Sequence, residues 1–198
     1  MNIVFDLGGV VFDWQPEALA RRIYDDPQTE ALVLREIIGT ADWIELDRGT
    51  LPLDAAIARG AARTGLSEAA VSRLFDAVPA SLTPIDATID LLRELNNTSH
   101  SLLVLSNMHL ASADFLEANH DIWNLFDGVV FSCRIKQVKP EPGIYEHLLA
   151  SYELDPAETV FIDDMQENLE AASAFNIRTI QFVSPAQCRA DLVASGCL

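Results

Sequence analysis

The chain has 198 residues, of which 49% are apolar and 22% are charged, a balance that excludes an intrinsically disordered protein. Its 30 acidic residues outnumber the 13 basic ones, and the net charge of −17 argues against nucleic acid as a partner because like charges repel. The three cysteines are odd in number and widely spaced, so they predict no disulfide framework and no zinc site.

No apolar run approaches the ~18 residues that a membrane span requires. The N-terminal residues also lack the basic start of a signal peptide. We therefore expect a cytoplasmic protein that binds neither membranes nor nucleic acid. The length predicts one core with room for an insertion.

Five short apolar segments alternate with amphipathic ones, a pattern typical of α/β proteins. They predict strands at residues 3–5, 101–105, 128–131, 159–162 and 178–182. Because each segment is apolar on both faces, we expect buried parallel strands in a doubly wound, Rossmann-like sheet. Helices are predicted at residues 84–96, 143–152, 167–175 and 186–194, with Thr83 and Ser184 as capping residues of the first and the last.

Residues 15–79 differ from the rest because they contain no convincing strand. Their apolar spacing predicts four helices, at residues 17–24, 29–38, 53–64 and 67–78, the last capped by Ser67. A crossover between parallel strands usually needs a single helix. The four helices therefore predict an inserted helical cap at 15–79, on an α/β core domain made of residues 1–14 and 80–198.

Three carboxylates follow two of the predicted strands. Asp6 ends the first strand, and Asp163 and Asp164 end the fourth. Taken singly, such an aspartate is more often a helix or turn cap than a ligand. If the two strands are neighbours, however, the three carboxylates converge at the edge where ligands of such sheets bind. A divalent cation would neutralise them, and an open site with few oxygen ligands suits Mg²⁺.

Two further segments supply groups that suit an anionic substrate. Ser106 and Asn107 end the second predicted strand with a hydroxyl and an amide, both of which can donate to a phosphate oxygen. Lys139 lies in a Val-Lys-Pro-Glu-Pro loop after the third strand, although a single lysine is usually a solvated surface charge. Together they predict a phosphate site at the same edge of the sheet.

The chain order of these residues resembles the four motifs of the haloacid dehalogenase superfamily. The sequence around these motifs is similar to that of the branch that contains the soluble epoxide hydrolase phosphatase domain and bacterial sugar-phosphate phosphatases of the α-glucose-1-phosphate type. The residues that carry the resemblance are Asp6, Gly8 and Gly9, then Ser106 and Asn107, then Lys139 and Pro140, and finally Asp163 and Asp164.

The resemblance implies a phosphatase that acts through an aspartyl-phosphate formed at Asp6. It implies that Ser106 and Asn107 hold phosphate oxygens and that Lys139 neutralises charge on Asp6 and on the phosphoryl group. It also implies Mg²⁺ as cofactor, and a small phosphorylated metabolite, in particular a sugar phosphate, as substrate. The implied metal ligands are Asp6, the backbone carbonyl of Gly8 and Asp164, with Asp163 as a further ligand or close neighbour.

Gly8 departs from the pattern of the superfamily's phosphatases, which usually carry a second aspartate there as general acid and base. Asp13 and His109 are candidate substitutes, although such residues are more often turn residues than catalytic acids. If nothing replaces the acid, the rate should depend strongly on the acidity of the leaving group, since general acid catalysis contributes ~10²–10⁴-fold.

Two other functions remain open from the sequence. One is a 2-haloacid dehalogenase, which attacks carbon without a metal; the acidic pair Asp163-Asp164 argues against it. The other is a non-catalytic regulatory module. In the cap, Arg48 lies in the segment 42–49 and is a candidate contact for a sugar or a phosphate, or else a partner in an ion pair with a cap acid.

Overall fold

The computed structural model describes all 198 residues and contains seven strands in two sheets. The strands are β1 (Asn2–Phe5), β2 (Phe12–Asp13), β3 (Thr83–Pro84), β4 (Ser101–Ser106), β5 (Gly128–Phe131), β6 (Thr159–Asp163) and β7 (Arg178–Gln181). The main sheet is parallel, with the order β5-β4-β1-β6-β7. All five strands expected from the sequence are confirmed to within one residue at each end, and β1 does lie beside β6.

Both faces of the main sheet are covered, as the apolar character of its strands on both sides requires. In β1, Ile3 and Phe5 pack into a cluster of 26 buried residues on one face, and Val4 packs into a cluster of 11 on the other. Helices α6 (Asp86–Asn96), α7 (Leu110–Asn119) and α11 (Pro185–Ala194) contribute to the larger cluster. Helices α9 (Pro142–Ser151) and α10 (Gln166–Ser173) contribute to the smaller one.

The helix expected at residues 84–96 begins later, and Thr83 is not its cap. Thr83 and Pro84 pair instead with Asp13 and Phe12 in the antiparallel ribbon of β2 and β3. Ile85 then donates its N–H to the carbonyl of Val11, which extends this ribbon up to the first turn of α6. Ser184 does cap α11, because its hydroxyl accepts the N–H of Gln187 in a reciprocal capping box. Helix α7 and the short α8 (Ser132–Ile135) were not predicted.

The segment between β2 and β3 contains helices and no strand. It holds α1 (Pro16–Ile23), α2 (Pro27–Val33) with a π-helical turn at Leu34–Ile38, α3 (Ala41–Arg48), α4 (Leu53–Thr64) and α5 (Glu68–Ser81). Ser67 caps α5 by accepting the N–H of Ala70. The segment has its own cluster of 11 buried apolar residues, all between residues 19 and 78. This separate core supports the cap at 15–79, which stays a prediction as a domain division.

Helix α3 is the cap element that the sequence did not predict, because charged residues interrupt its apolar spacing. It ends at Gly49, whose φ of +70° is a left-handed conformation. A Cβ at Gly49 would lie 2.5 Å from the carbonyl oxygen of Cys133 in α8. The end of α3 therefore lies directly against the core domain. No helix in the structure has the length and apolar character needed to cross a membrane.

Candidate active site

The candidate site lies at the carboxyl edge of the main sheet, where β1, β4 and β6 end side by side. Phe5 is in register with Ile162 of β6 and with Val104 of β4. Asp6 therefore emerges beside Asp163, and Ser106 emerges on the other side of β1. Parallel strands present their carboxyl ends at one edge, so residues far apart in the sequence meet there.

Lys139 lies between two of these carboxylates. Its Nζ is 2.9 Å from Oδ1 of Asp6 and 2.7 Å from Oδ2 of Asp163, and the lysine side chain is almost completely buried. Burial lowers the pKa of Lys139, but the charges of Asp6 and Asp163 raise it by more, so that its pKa lies above the usual value. The lysine is therefore a fixed positive charge beside Asp6.

Asp163 is fully engaged by the protein. Besides Lys139, it accepts hydrogen bonds from the backbone N–H of Met165 at 2.8 Å and from the side-chain amide of Asn168, which lies 3.0 and 3.1 Å from its two oxygens. Asp164 differs, because its side chain is partly exposed and accepts no hydrogen bond from another residue. Of the two neighbouring aspartates, only Asp164 thus keeps its oxygens free for a ligand.

The acidic cluster fits a divalent cation. Carboxylate oxygens of Asp6, Asp163 and Asp164 all lie within 4.8 Å of one another. Burial raises the pKa of Asp6 to about 7; the charge of Lys139 lowers this pKa and the charge of Asp163 raises it. The single positive charge of Lys139 therefore does not balance the negative charge of the three carboxylates. Gly9 has a φ of +77°, and a Cβ there would lie 2.7 Å from Oδ2 of Asp164. Hard oxygen ligands with excess negative charge suit Mg²⁺.

The two residues expected to hold phosphate have different surroundings. The Ser106 hydroxyl is buried and has no hydrogen-bond partner in the protein. Such groups are rare in folded proteins, so this hydroxyl is available to a ligand. The Asn107 side chain is instead bonded to the backbone of Lys139, donating to its carbonyl and accepting its N–H. Asn107 thus contributes to the site by fixing the loop that carries Lys139.

A cavity of about 90 Å³ lies next to Gly8, between the cap and the core domain. Its apolar lining residues are Trp14, Trp43, Val78, Leu82 and Met108, and its other lining residues are Gly8, Asp47, Asn107, His109 and Ser112. His109, one of the two candidate acids, is therefore at the site. Asp13, the other, does not line the cavity and accepts a hydrogen bond from Gln15.

Asp47 is a site residue that the sequence reasoning missed. It belongs to the segment 42–49, in which only Arg48 attracted attention. The Arg48 guanidinium binds both carboxylate oxygens of Glu141, at 2.6 and 2.7 Å, and lies 3.2 Å from Glu45. Arg48 therefore forms an ion pair, chiefly with a core-domain acid, and the adjacent Asp47 is the residue that lines the cavity.

The sequence pattern of haloacid dehalogenase-like hydrolases matches residues 61–182 of the chain. This range covers most of the core domain, including Ser106, Lys139 and the acidic pair. The chain belongs to the haloacid dehalogenase-like hydrolase family. Asp6 precedes the matched range, but the sheet places it among the motif residues that lie within that range.

Relatives of this hydrolase with known names include phosphatases. A sesquiterpene phosphatase of Aspergillus oryzae is 31% identical over 171 residues, which cover 86% of this chain and 84% of the relative. A D-ribitol-5-phosphate phosphatase of Bacteroides thetaiotaomicron is 24% identical over 199 residues, which cover 96% of each chain.

Solved structures share the fold of this hydrolase. A haloacid dehalogenase family enzyme of Bacteroides thetaiotaomicron, in complex with magnesium and inorganic phosphate, has a TM-score of 0.72 and 21% identity, covering 91% of this chain and 92% of that one. The L-2-haloacid dehalogenase of Xanthobacter autotrophicus has a TM-score of 0.69 and 21% identity, covering 100% and 84%. Because a dehalogenase and an enzyme solved with magnesium and inorganic phosphate share the architecture, the reaction must be argued from the site.

Proposed function

We propose that this hydrolase is a Mg²⁺-dependent phosphatase that cleaves small phosphate monoesters through an aspartyl-phosphate at Asp6. The observation that carries the proposal is the acidic cluster, in which Asp164 remains free while Asp163 holds Lys139 against Asp6. A dehalogenase needs no metal, so its reaction does not require a cluster of carboxylates with uncompensated negative charge. The phosphatase names among the relatives agree with this proposal.

The arrangement assigns a task to each residue. Oδ1 of Asp6 accepts the N–H of Leu7 at 2.7 Å and lies against Lys139, so the carboxylate is held in one orientation for attack on phosphorus. Lys139 and the Ser106 hydroxyl would receive phosphoryl oxygens. Asp6, the Gly8 carbonyl and Asp164 would hold Mg²⁺, with Asp163 in support. When bound, the ion would neutralise charge that develops on the phosphoryl group.

The substrate class follows from the cavity beside the nucleophile. A sugar phosphate is the expectation from the sequence, and its hydroxyls would need several polar partners. The cavity has few polar lining groups: Asn107, which uses its amide oxygen and one of its two amide N–H donors on the Lys139 backbone, and Asp47, His109 and Ser112. The two tryptophans and the aliphatic side chains favour an aryl or other apolar group on the phosphate instead. Comparing kcat/KM for sugar 1-phosphates, aryl phosphates and isoprenoid monophosphates distinguishes these classes.

The proposed function is tested by Asp6→Asn, which keeps the shape of the side chain and removes the nucleophile. We expect kcat/KM for an aryl phosphate to fall at least ~1,000-fold, about 4 kcal/mol of barrier. Asp13→Asn is the matched control, because Asp13 does not line the cavity, and it should retain the wild-type rate. An Asp6→Asn enzyme with a tenth of wild-type activity would contradict covalent catalysis. Metal-independent release of halide from 2-chloropropionate would instead identify a dehalogenase.

A further inference from the structure

Gly8 leaves a gap in the proposed phosphatase mechanism. When the ester bond breaks, the leaving oxygen needs a proton, and the usual donor two residues after the nucleophile is absent. The space at this position is open, since the nearest atom to a Cβ placed on Gly8 would be Cβ of Trp14 at 3.9 Å. The same open space is the cavity between the cap and the core domain. A donor from another element can therefore occupy it.

The Asp47 carboxyl enters this cavity from the cap. Its side chain is only 15% exposed, and Nε2 of His109 lies 3.2 Å from its Oδ1 without forming a hydrogen bond. The end of α3 is fixed to the core domain, because the Asp47 carbonyl accepts a hydrogen bond from the Ser132 hydroxyl and the Gly49 carbonyl accepts one from Lys136. This anchoring holds the carboxyl over the site.

No cation neutralises the Asp47 carboxyl. The charged groups that act on it are Asp6 and, more weakly, Lys139, and its contact His109 is itself buried. The centroid of the His109 ring lies 4.3 Å from that of the Trp43 ring and 6.3 Å from that of the Phe75 ring. Burial lowers the pKa of His109 to about 4, so its ring is neutral near pH 7. Burial and the charge of Asp6 raise the pKa of Asp47 to about 8, which favours the protonated acid.

We propose that Asp47 is the general acid and base of this hydrolase, held at the cavity by the anchored end of α3 and supplied by the cap in place of the aspartate missing at Gly8. In the first step, an Asp6 oxygen bonds to phosphorus, the bond from phosphorus to the ester oxygen breaks, and the Asp47 proton passes to that oxygen to release an alcohol. In the second step, the Asp47 carboxylate takes a proton from the water that attacks phosphorus. Inorganic phosphate, free Asp6 and protonated Asp47 result.

The other two candidate acids fit less well. Asp13 lies outside the cavity lining and accepts a hydrogen bond from Gln15. His109 is neutral near pH 7, and its Nε2 faces Asp47. A neutral imidazole is a weak acid, so His109 does not suit proton donation.

The test rests on the proposed function and uses phosphate esters of graded leaving-group pKa with Mg²⁺ present. In Asp47→Asn, kcat/KM for alkyl phosphates should fall 100- to 1,000-fold, while kcat/KM for a nitrophenyl phosphate changes less than threefold, because a good leaving group departs without a proton. The nitrophenyl ester should also give a burst of one phenol per enzyme, since the second step is slow. Asp42→Asn, a substitution on the same helix at a residue that pairs with Arg59 and Arg63, should behave like the wild type.

Rescue provides the second arm. The double variant Gly8→Asp, Asp47→Asn should have a kcat/KM for alkyl phosphates at least tenfold above that of Asp47→Asn alone. The reason is that Gly8→Asp returns a carboxyl to the open space at residue 8. Equal losses on alkyl and aryl esters, or no loss on either, would overturn the role of Asp47 while leaving the phosphatase intact. A wild-type enzyme that hydrolyses no phosphate ester would overturn the proposed function itself.

Discussion

Asn107 and Lys139 are joined by two reciprocal hydrogen bonds. The Asn107 amide donates to the Lys139 carbonyl at 2.9 Å, and the Lys139 N–H donates to Oδ1 of Asn107 at 2.8 Å. The asparagine thus pairs with the lysine backbone as a neighbouring strand would. The position of the positive charge beside Asp6 therefore depends on a side chain 32 residues earlier in the chain.

Substitutions of Ser106 and Asn107 should distinguish a residue that binds the phosphate from one that supports the loop of Lys139. Asn107→Ala removes both hydrogen bonds and should lower the free energy of unfolding by about 2 kcal/mol, with a fall in kcat as the lysine loop loosens. Ser106→Ala removes a hydroxyl without a protein partner, so stability should stay within about 0.5 kcal/mol while KM rises. Urea denaturation and steady-state kinetics measure both effects. A stable Asn107→Ala protein with a raised KM alone would indicate a direct phosphate contact.

The two neighbouring aspartates should respond differently to substitution. Asp164→Asn leaves the protein hydrogen bonds intact and should raise the Mg²⁺ concentration for half-maximal activity at least tenfold. Asp163→Asn disturbs the contacts of Lys139, Met165 and Asn168, so it should chiefly lower stability and kcat. Activity titrated with Mg²⁺ and thermal unfolding in a chelator report the two effects. The opposite pattern would make Asp163 the direct ligand.

Ca²⁺ should inhibit the Mg²⁺-supported activity. It binds at longer distances and often takes both oxygens of a carboxylate, which would engage the attacking oxygen of Asp6. Adding Ca²⁺ at fixed Mg²⁺ should reduce the rate, and excess Mg²⁺ should restore it. Full activity after exhaustive chelation would contradict the metal site altogether.

Lys139→Met should destabilise the protein more at high pH than at low pH. Lys139 is the main group that opposes burial in setting the pKa of Asp6, so its loss raises that pKa further. A carboxyl whose pKa is higher in the folded state than in the unfolded state costs stability as the pH rises from ~4 through the folded-state value. The loss should be about 3–5 kcal/mol at pH 8 and distinctly smaller at pH 5. Denaturation in a chelator measures it, and a loss independent of pH would refute it.

Arg48 and Glu141 join the cap to the core domain, and their substitutions should have matching effects. Both Arg48→Gln and Glu141→Gln break the same bidentate pair, so each should lower stability by about 1 kcal/mol or less. The KM values of the two variants should be equal to each other. A KM raised by Arg48→Gln alone would restore the role of Arg48 as a phosphate or sugar contact.

The strands and the motif residues were predictable because their signals are local. A strand buried on both faces must be continuously apolar, so all five strands of the main sheet are visible in the sequence. Asp6, Ser106, Lys139 and Asp163 follow from this, because each lies at or after the carboxyl end of a strand. Helix α3 gave no such signal, since it buries only Leu46 and otherwise carries interspersed charges.

The partners of the polar side chains were decided by the tertiary structure. The sequence offered Asn107 as a phosphate donor and left Arg48 open between a substrate contact and an ion pair. Packing bonds Asn107 to the Lys139 backbone and pairs Arg48 with Glu141. Asp47 and His109 meet only because the end of α3 rests on the core domain. A charged or amide group can bind many partners, and its sequence neighbours do not determine which one comes within 3 Å. Apolar patterning determines where the strands and helices of this protein lie. The packing of these elements against one another determines which polar side chains meet at the candidate site.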